Sequence, residues 1–175
     1  MDRQLFLAQL DFLDAVEKGD LNQIKQIMDA EQHRVEFSRT KIQIADAVIL
    51  AAEEGRLEVV EFLLDNGFDT DEVDAYGYTA LHKAILNGNI LMAKLLIEEG
   101  NDIGTTSTRE GYFPLHLAVL QNDIEMVRFI LNCEELQGFL DIFAHNRTAY
   151  KLAKEKGYKP IMKLIKAYIL SELDD

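Results

Sequence analysis

Apolar residues in this 175-residue chain recur at helical spacing in short paired blocks. Blocks such as "LEVVEFLL" from Leu57 and "ILMAKLLI" from Ile90 place apolar side chains three and four positions apart, which is the spacing of one helix face. A shorter alanine- and leucine-rich block precedes each of them, and Gly55, Gly88 or Asn122 separates the two blocks of a pair. Glycine and asparagine tolerate the left-handed conformation that ends a helix. The pattern therefore predicts a series of helix pairs.

The helix pairs repeat with a nearly constant period. Segments beginning at Asp46, Thr79 and Phe113 align at offsets of 33 and 34 residues. Weaker copies begin at Leu10, 36 residues before Asp46, and at Thr148, 35 residues after Phe113. One pair cannot bury its apolar face alone, so neighbouring pairs must stack around a continuous core. The weaker end copies fit this arrangement, because terminal repeats replace apolar outer faces with polar ones.

The period and the segments "TALHKA" and "FPLHLA" resemble the ankyrin repeat, whose signature is T-P-L-H-x-A. The resemblance implies an all-α solenoid of stacked helix pairs joined by β-hairpin-like connectors. We expect one ankyrin-repeat domain over residues 1–175, with repeats near 5–38, 41–73, 74–107, 108–142 and 143–172. Three departures stand out: residues 30–43 lack the family's G-x-D connector, Ser107 resembles an insertion, and residues 132–147 have room for an extra helical turn.

Charge is unevenly distributed along the chain. The net charge of −13 opposes nucleic acid or an anionic membrane as the main partner. Residues 53–74 hold nine acidic residues and one basic residue, whereas residues 147–166 hold seven basic residues and one acidic residue. The basic cluster fits a solvated polar cap on the last repeat, and a second binding site is the alternative.

The start of the chain does not resemble a signal peptide, because Asp2, Asp11 and Asp14 interrupt its apolar residues. No apolar run approaches the roughly 20 residues that a membrane helix needs. The single cysteine, Cys133, allows no intramolecular disulfide. We therefore expect a cytoplasmic chain without membrane insertion, or a chain in the host cytosol if it is a secreted bacterial effector.

The acidic stretch "DTDEVDAYGYTALHKA" from Asp69 raises two chemical alternatives. A calcium loop of the EF-hand type fails at its fifth, sixth and twelfth positions, which are Val73, Asp74 and Ala80. "DEVD" resembles the preferred cut site of executioner caspases, with cleavage after Asp74. Regulated proteolysis at Asp74 therefore remains an alternative.

The sequence contains no recognisable catalytic, nucleotide-binding or zinc-binding motif. His82 and His116 fall on the histidine of the ankyrin signature, so we expect them to be structural, and we expect Cys133 to be a partly buried structural thiol. The predicted protein is not an enzyme and needs no cofactor or metal, since the repeats account for the chain. A targeting subunit or domain serving an enzyme is the alternative.

The resemblance implies a concave protein-binding face made by the hairpin tips and by the inner face of each first helix. Tyrosine and arginine are common interface hot spots. The expected contact residues are Tyr76, Tyr78, Arg109, Glu110, Tyr112, His145 and Arg147 at the tips, and Glu53, Glu54, Leu86, Asn87, Leu120 and Gln121 on the helices. We expect a monomer that binds a protein with a basic or mixed apolar and basic surface, as a scaffold, regulator or effector. Alternatively, the tyrosines only pack against their own hairpins.

Overall fold

The computed structural model describes residues 3–30, 41–100, 108–133 and 148–173. Within these ranges the chain forms ten α-helices and no strand. The helices are α1 Arg3–Lys18, α2 Leu21–Asp29, α3 Lys41–Glu53, α4 Leu57–Asp65, α5 Ala80–Leu86, α6 Ile90–Glu98, α7 Pro114–Leu120, α8 Ile124–Leu131, α9 Ala149–Lys156 and α10 Lys159–Leu173. The predicted all-α solenoid is confirmed.

The odd-numbered helices form the inner layer of the stack. Each contacts the next odd-numbered helix, and each also contacts the even-numbered helix that follows it in the chain. One alanine of every inner helix is fully buried at the same repeat position; these are Ala15, Ala51, Ala84, Ala118 and Ala153. A small side chain there allows close approach of adjacent inner helices, so the spacing of the whole stack depends on this position.

The turn inside each helix pair reverses the chain at the predicted glycine or asparagine. Gly55 has φ 68°, and the following Arg56 N–H donates to the Ala51 carbonyl at 2.8 Å. Asn122 adopts φ 55° at the matching position, which asparagine tolerates better than most residues. Gly55 and Asn122 therefore both adopt the left-handed conformation that was expected where the first helix of a pair ends.

The structure differs from the expected short helix pairs at α3. This helix begins at Lys41, so residues 41–43 of the predicted irregular connector are helical. α1 and α10 are also long, with 16 and 15 residues, and Pro160 occupies the second position of α10, where proline is tolerated. The predictions for residues 31–40, Ser107 and residues 134–147 lie outside the described residues.

The start of α5 is fixed by a reciprocal capping arrangement. The His82 N–H donates to Thr79 Oγ1 at 3.3 Å, and the Thr79 N–H donates to His82 Nδ1 at 3.0 Å. Both residues are buried. Because His82 is enclosed and satisfies the backbone at the helix start, the geometry supports the structural role expected for it.

We predict that Thr79→Ala lowers the free energy of unfolding by about 1–2 kcal/mol, because the buried N–H of His82 loses its acceptor. Thr148→Ala is the matched control, since Thr148 Oγ1 accepts the Lys151 N–H at 3.2 Å in an exposed setting where water can replace it. Urea denaturation of both variants measures the difference. Equal losses would contradict the expected effect of burial on the bond between the His82 N–H and Thr79 Oγ1.

Candidate protein-binding surface

Residues 74–78 form a tight hairpin organised by Asp74. The Asp74 N–H donates to the Tyr78 carbonyl at 2.9 Å, and the Gly77 N–H donates to the Asp74 carbonyl at 3.0 Å. The Asp74 carboxylate accepts the N–H groups of Tyr76 at 2.8 Å and Tyr78 at 2.9 Å. Hydrogen bonds to the Asp74 carboxylate and to main-chain carbonyls therefore hold residues 74–78 in one conformation.

The next connector repeats this hairpin and is tied to the first. The Thr108 N–H donates to the Tyr112 carbonyl at 3.0 Å, and Thr108 Oγ1 accepts the Tyr112 N–H at 3.2 Å, as the Asp74 carboxylate does for Tyr78. The Arg109 N–H then donates to the Tyr76 carbonyl at 3.2 Å. Tyr76 and Arg109 therefore lie side by side on coupled hairpins.

Lys83 of α5 joins two repeats behind the first hairpin. Its Nζ lies 3.2 Å from Glu53 Oε2 and 3.3 Å from Asp74 Oδ2, and its side chain is only 17% exposed. The same Nζ lies 5.3 Å from the centroid of the Tyr78 ring, within cation–π range. Lys83 thus connects the end of α3, the hairpin and α5.

The pKa values of this cluster follow from its charges. Burial lowers the pKa of Lys83, but Glu53 and Asp74 outweigh this effect, so the net shift is upward. Burial raises the pKa of Asp74, but hydrogen bonds from Tyr78 and Tyr76 and the charge of Lys83 bring it below the ordinary value. Burial and the nearby Asp74 carboxylate raise the pKa of Asp46. Lys83 and Asp74 are therefore both stabilised in their charged forms.

The predicted tyrosines have different environments. Tyr76 is 71% exposed at the tip of its hairpin. Tyr78 is half-buried, and its ring meets the His82 ring edge-on with centroids 5.9 Å apart. Tyr112 is also half-buried, with its centroid 6.5 Å from that of His116. The rings of Tyr78 and Tyr112 thus lie against histidines of α5 and α7, whereas the side chain of Tyr76 is mostly exposed.

The other predicted contact residues divide by exposure. Leu86 and Leu120 are half-buried and pack against the core, while the polar ones are exposed; these are Glu53, Glu54, Asn87, Arg109, Glu110 and Gln121. Asn87 also has a structural bond, because its side-chain amide donates to the Glu53 carbonyl at 2.7 Å. His145 and Arg147 lie outside the described residues.

Sequence reasoning missed two residues of this surface. Lys83 occupies a position that holds Leu50, Leu117 and Leu152 in three other repeats, and a charge where these repeats have leucine was the available signal. Val73 lies beside the tip and is 50% exposed. It was missed because it stands in an acidic stretch, where only the charged residues were considered as contacts. With Tyr76, Val73 adds apolar area to the exposed edge of the hairpin.

The bond between Asp74 and Ala75 lies at the start of this hairpin turn. A protease would need the segment in an extended form and the Asp74 side chain free to enter its pocket. Here the carboxylate is held by Tyr76, Tyr78 and Lys83. Cleavage therefore requires local opening of the hairpin, and proteolysis at Asp74 gains no support from this geometry.

The fold and surface define a helical-repeat scaffold with projecting hairpins. The family model for ankyrin repeats (3 copies) matches residues 12–107 and 93–172, so the chain belongs to the ankyrin repeat family. Ankyrin repeats are generally protein–protein interaction modules. Among the helices of the described ranges, none has the length and apolar character needed to cross a bilayer.

Similar sequences occur within differently named proteins. The chain is 31% identical over 123 residues to ankyrin repeat and SAM domain-containing protein 6 of Rattus norvegicus, covering 69% of this chain and 14% of that protein. It is 25% identical over 119 residues to tyrosine-protein kinase HTK16 of Hydra vulgaris, covering 67% of this chain and 16% of the kinase. It is 29% identical over 85 residues to the human Notch-regulated ankyrin repeat-containing protein, covering 46% and 74% respectively. The chain thus spans a small part of the first two relatives.

Gly77→Ala should be more destabilising than Gly111→Ala. Both glycines have positive φ, 81° and 75°, so an added Cβ strains both by a similar amount of about 1 kcal/mol. At Gly77 the Cβ would also lie 2.7 Å from the Arg109 nitrogen, whereas at Gly111 it meets nothing within 4 Å. Thermal and urea unfolding of the two variants measure the extra cost, and identical stability would contradict the close packing of the two hairpins.

We expect the stability effect of Asp74→Asn to depend on pH. Because the folded-state pKa of Asp74 is below the unfolded value of about 3.9, its stabilisation is present at neutral pH and is lost as pH falls through the folded pKa. Asp74→Asn should therefore cost about 1 kcal/mol at pH 7, and the difference from wild type should shrink below about pH 4.

Urea unfolding across this pH range checks that expectation. Asp69→Asn is the control, because the Asp69 carboxylate also accepts a main-chain N–H, that of Asp71 at 2.9 Å, but on an exposed residue. A pH-independent cost of Asp74→Asn would show that the Lys83 contact does not contribute through charge.

Proposed function

We propose that this chain binds a partner protein through its concave face and carries out no catalysis. The observation that carries the proposal is Tyr76, which is 71% exposed on a hairpin fixed by the Asp74 carboxylate and by the Arg109 N–H. An exposed aromatic side chain on an ordered backbone can contribute apolar area with little loss of backbone entropy. Tyr76 is therefore the expected centre of the interface.

The charges around Tyr76 favour a partner with a basic or mixed apolar and basic surface. Lys83 already pairs with Glu53 and Asp74, so these two carboxylates contribute less to the outer potential. Glu54 and Asp71 remain exposed on the same repeat. Opposite charge on a partner would speed association and select its orientation more than it would raise affinity.

The proposed role is that of a scaffold, a regulator or a host-directed bacterial effector. One copy of the chain supplies the whole surface, without a cofactor, and the cytoplasm or a host cytosol is the proposed location. The approximate repeats 41–73, 74–107 and 108–142 would provide the contacts.

A targeting role beside an enzyme is the second candidate. It is favoured by the likeness to tyrosine-protein kinase HTK16, of which the similar segment covers 16%. In that case the same face would hold a substrate or a subunit of the enzyme, so the contact chemistry would be unchanged and only the identity of the partner would differ.

Tyr76→Ala should reduce recovery of the partner in a pulldown by about tenfold or more, since hot-spot tyrosines contribute about 2 kcal/mol. Leu91→Ala is the matched control, because Leu91 is 70% exposed but belongs to the outer helix α6. Affinity should also fall with increasing ionic strength if the acidic repeat attracts the partner. Partners would be identified by mass spectrometry from wild-type captures.

If Leu91→Ala loses every captured partner while Tyr76→Ala recovers them all, the partners bind the convex face. That result would reject the proposal. Salt-insensitive affinity would reject the basic character of the partner while leaving the concave site intact. Circular dichroism of both variants confirms that each remains folded.

A further inference from the structure

Two charged side chains of opposite sign lie near the Tyr76 hairpin without a partner. Asp46 of α3 and Arg109 of the second hairpin are both exposed. Within the part of the chain that the structure describes, neither side chain takes part in an ion pair or a hydrogen bond. The Asp74 carboxylate, in contrast, is already bonded to Lys83. The charges of Asp46 and Arg109 are therefore available to groups outside the chain.

Asp46 lies on the same side of α3 as Glu53. The two residues are seven positions apart, which is close to two full turns of a helix, and both are exposed. Glu53 meets Lys83 on this side. Burial and the nearby Asp74 carboxylate raise the pKa of Asp46. Asp46 therefore lies beside the base of the Tyr76 hairpin.

The surroundings of Asp46 leave its charge uncompensated. The oxygens of the neighbouring Asp74 carboxylate are occupied by two main-chain N–H groups and by Lys83, whereas no described basic side chain pairs with Asp46. A positive group from a partner would offset the repulsion between the two carboxylates. A charge that is disfavoured in the free chain is typical of a binding residue more than of a structural one.

Arg109 lies on the other side of Tyr76. Its N–H donates to the Tyr76 carbonyl at 3.2 Å, and its Cγ lies 2.9 Å from the place that a Cβ on Gly77 would take. The first part of the Arg109 side chain therefore runs along the first hairpin. Glu110, the next residue, is exposed at the second hairpin. Because a guanidinium group binds a carboxylate through two parallel hydrogen bonds, Arg109 fits an acidic residue of a partner.

We propose that the Tyr76 hairpin binds an extended segment of a partner protein in which an apolar residue stands between a basic residue and an acidic residue. The basic residue pairs with Asp46, the acidic residue pairs with Arg109, and the apolar residue covers the exposed side chains of Val73 and Tyr76. The inference rests on the proposed function, because it assigns the partner chemistry of the same surface.

The stacking of the repeats sets the spacing of this motif. Neighbouring inner helices pack at about 10 Å, and an extended chain covers about 3.3 Å per residue. Each charged residue of the segment is therefore expected about three positions from the apolar one. The partner surface is then basic on the side of the second repeat and acidic at Arg109.

Selection of short random peptides displayed on phage, with the full chain immobilised, tests the proposal. Wild type should select peptides with a basic, an apolar and an acidic residue in that order or its reverse. Asp46→Lys should select an acidic residue in place of the basic one, and Arg109→Glu should select a basic residue in place of the acidic one. Glu61→Lys and Lys163→Glu are the controls, because they reverse exposed charges on the outer helices α4 and α10 and should select the wild-type motif.

A synthetic copy of the peptide selected by wild type measures the size of each contact. Asp46→Asn and Arg109→Gln should each weaken its binding about fivefold to tenfold in fluorescence anisotropy. Asp46→Asn should leave the urea midpoint at pH 7 unchanged or raise it, since burial and Asp74 disfavour the Asp46 charge in the free chain. A lower midpoint would assign Asp46 to the fold and overturn its role in binding.

Tyr76→Ala separates this inference from the proposed function. If the selected peptides bind Tyr76→Ala as tightly as wild type, or if no peptide is enriched, both fail. If the peptides need Tyr76 but carry no preferred charges, or if their charges do not follow the two reversals, this inference is overturned and the proposed function stands.

Discussion

The stacking of inner helices is the constraint on which the rest of this structure depends. No helix pair here can enclose its own apolar face, so each pair is stable only against a neighbour. The buried alanine at the same position of every inner helix sets how closely neighbours approach. The hairpins are held at the same spacing, which is why the Arg109 N–H reaches the Tyr76 carbonyl. The geometry of the surface is thus a consequence of packing inside the stack.

Lys83 shows how the stack accommodates a charge in an otherwise apolar layer. Its position is filled by leucine in later repeats, and an unpaired ammonium group there would carry a desolvation cost. Glu53 from the preceding repeat and Asp74 from the hairpin supply the opposite charges. The same pairing partly neutralises the acidic charge of the proposed binding face. Stability of the hairpin and the charge presented to a partner are therefore coupled through one side chain.

Much of the fold could be predicted from the sequence, because period and helix breakers are local properties. The helix pairs and the turn at Asn122 follow from spacing and residue type, whereas the structural role of His82 follows from the resemblance to the ankyrin signature. The long α3 was missed, although Thr40 and Gln43 match the S/T-x-x-E/Q pattern that is typical of a helix start. A sequence pattern also cannot show which residues touch between repeats. The Asn87 side chain reaches the Glu53 carbonyl, and Lys83 reaches Glu53 and Asp74, only because the repeats are stacked. Exposure likewise separates Tyr76 from Tyr78, although their sequence contexts look alike.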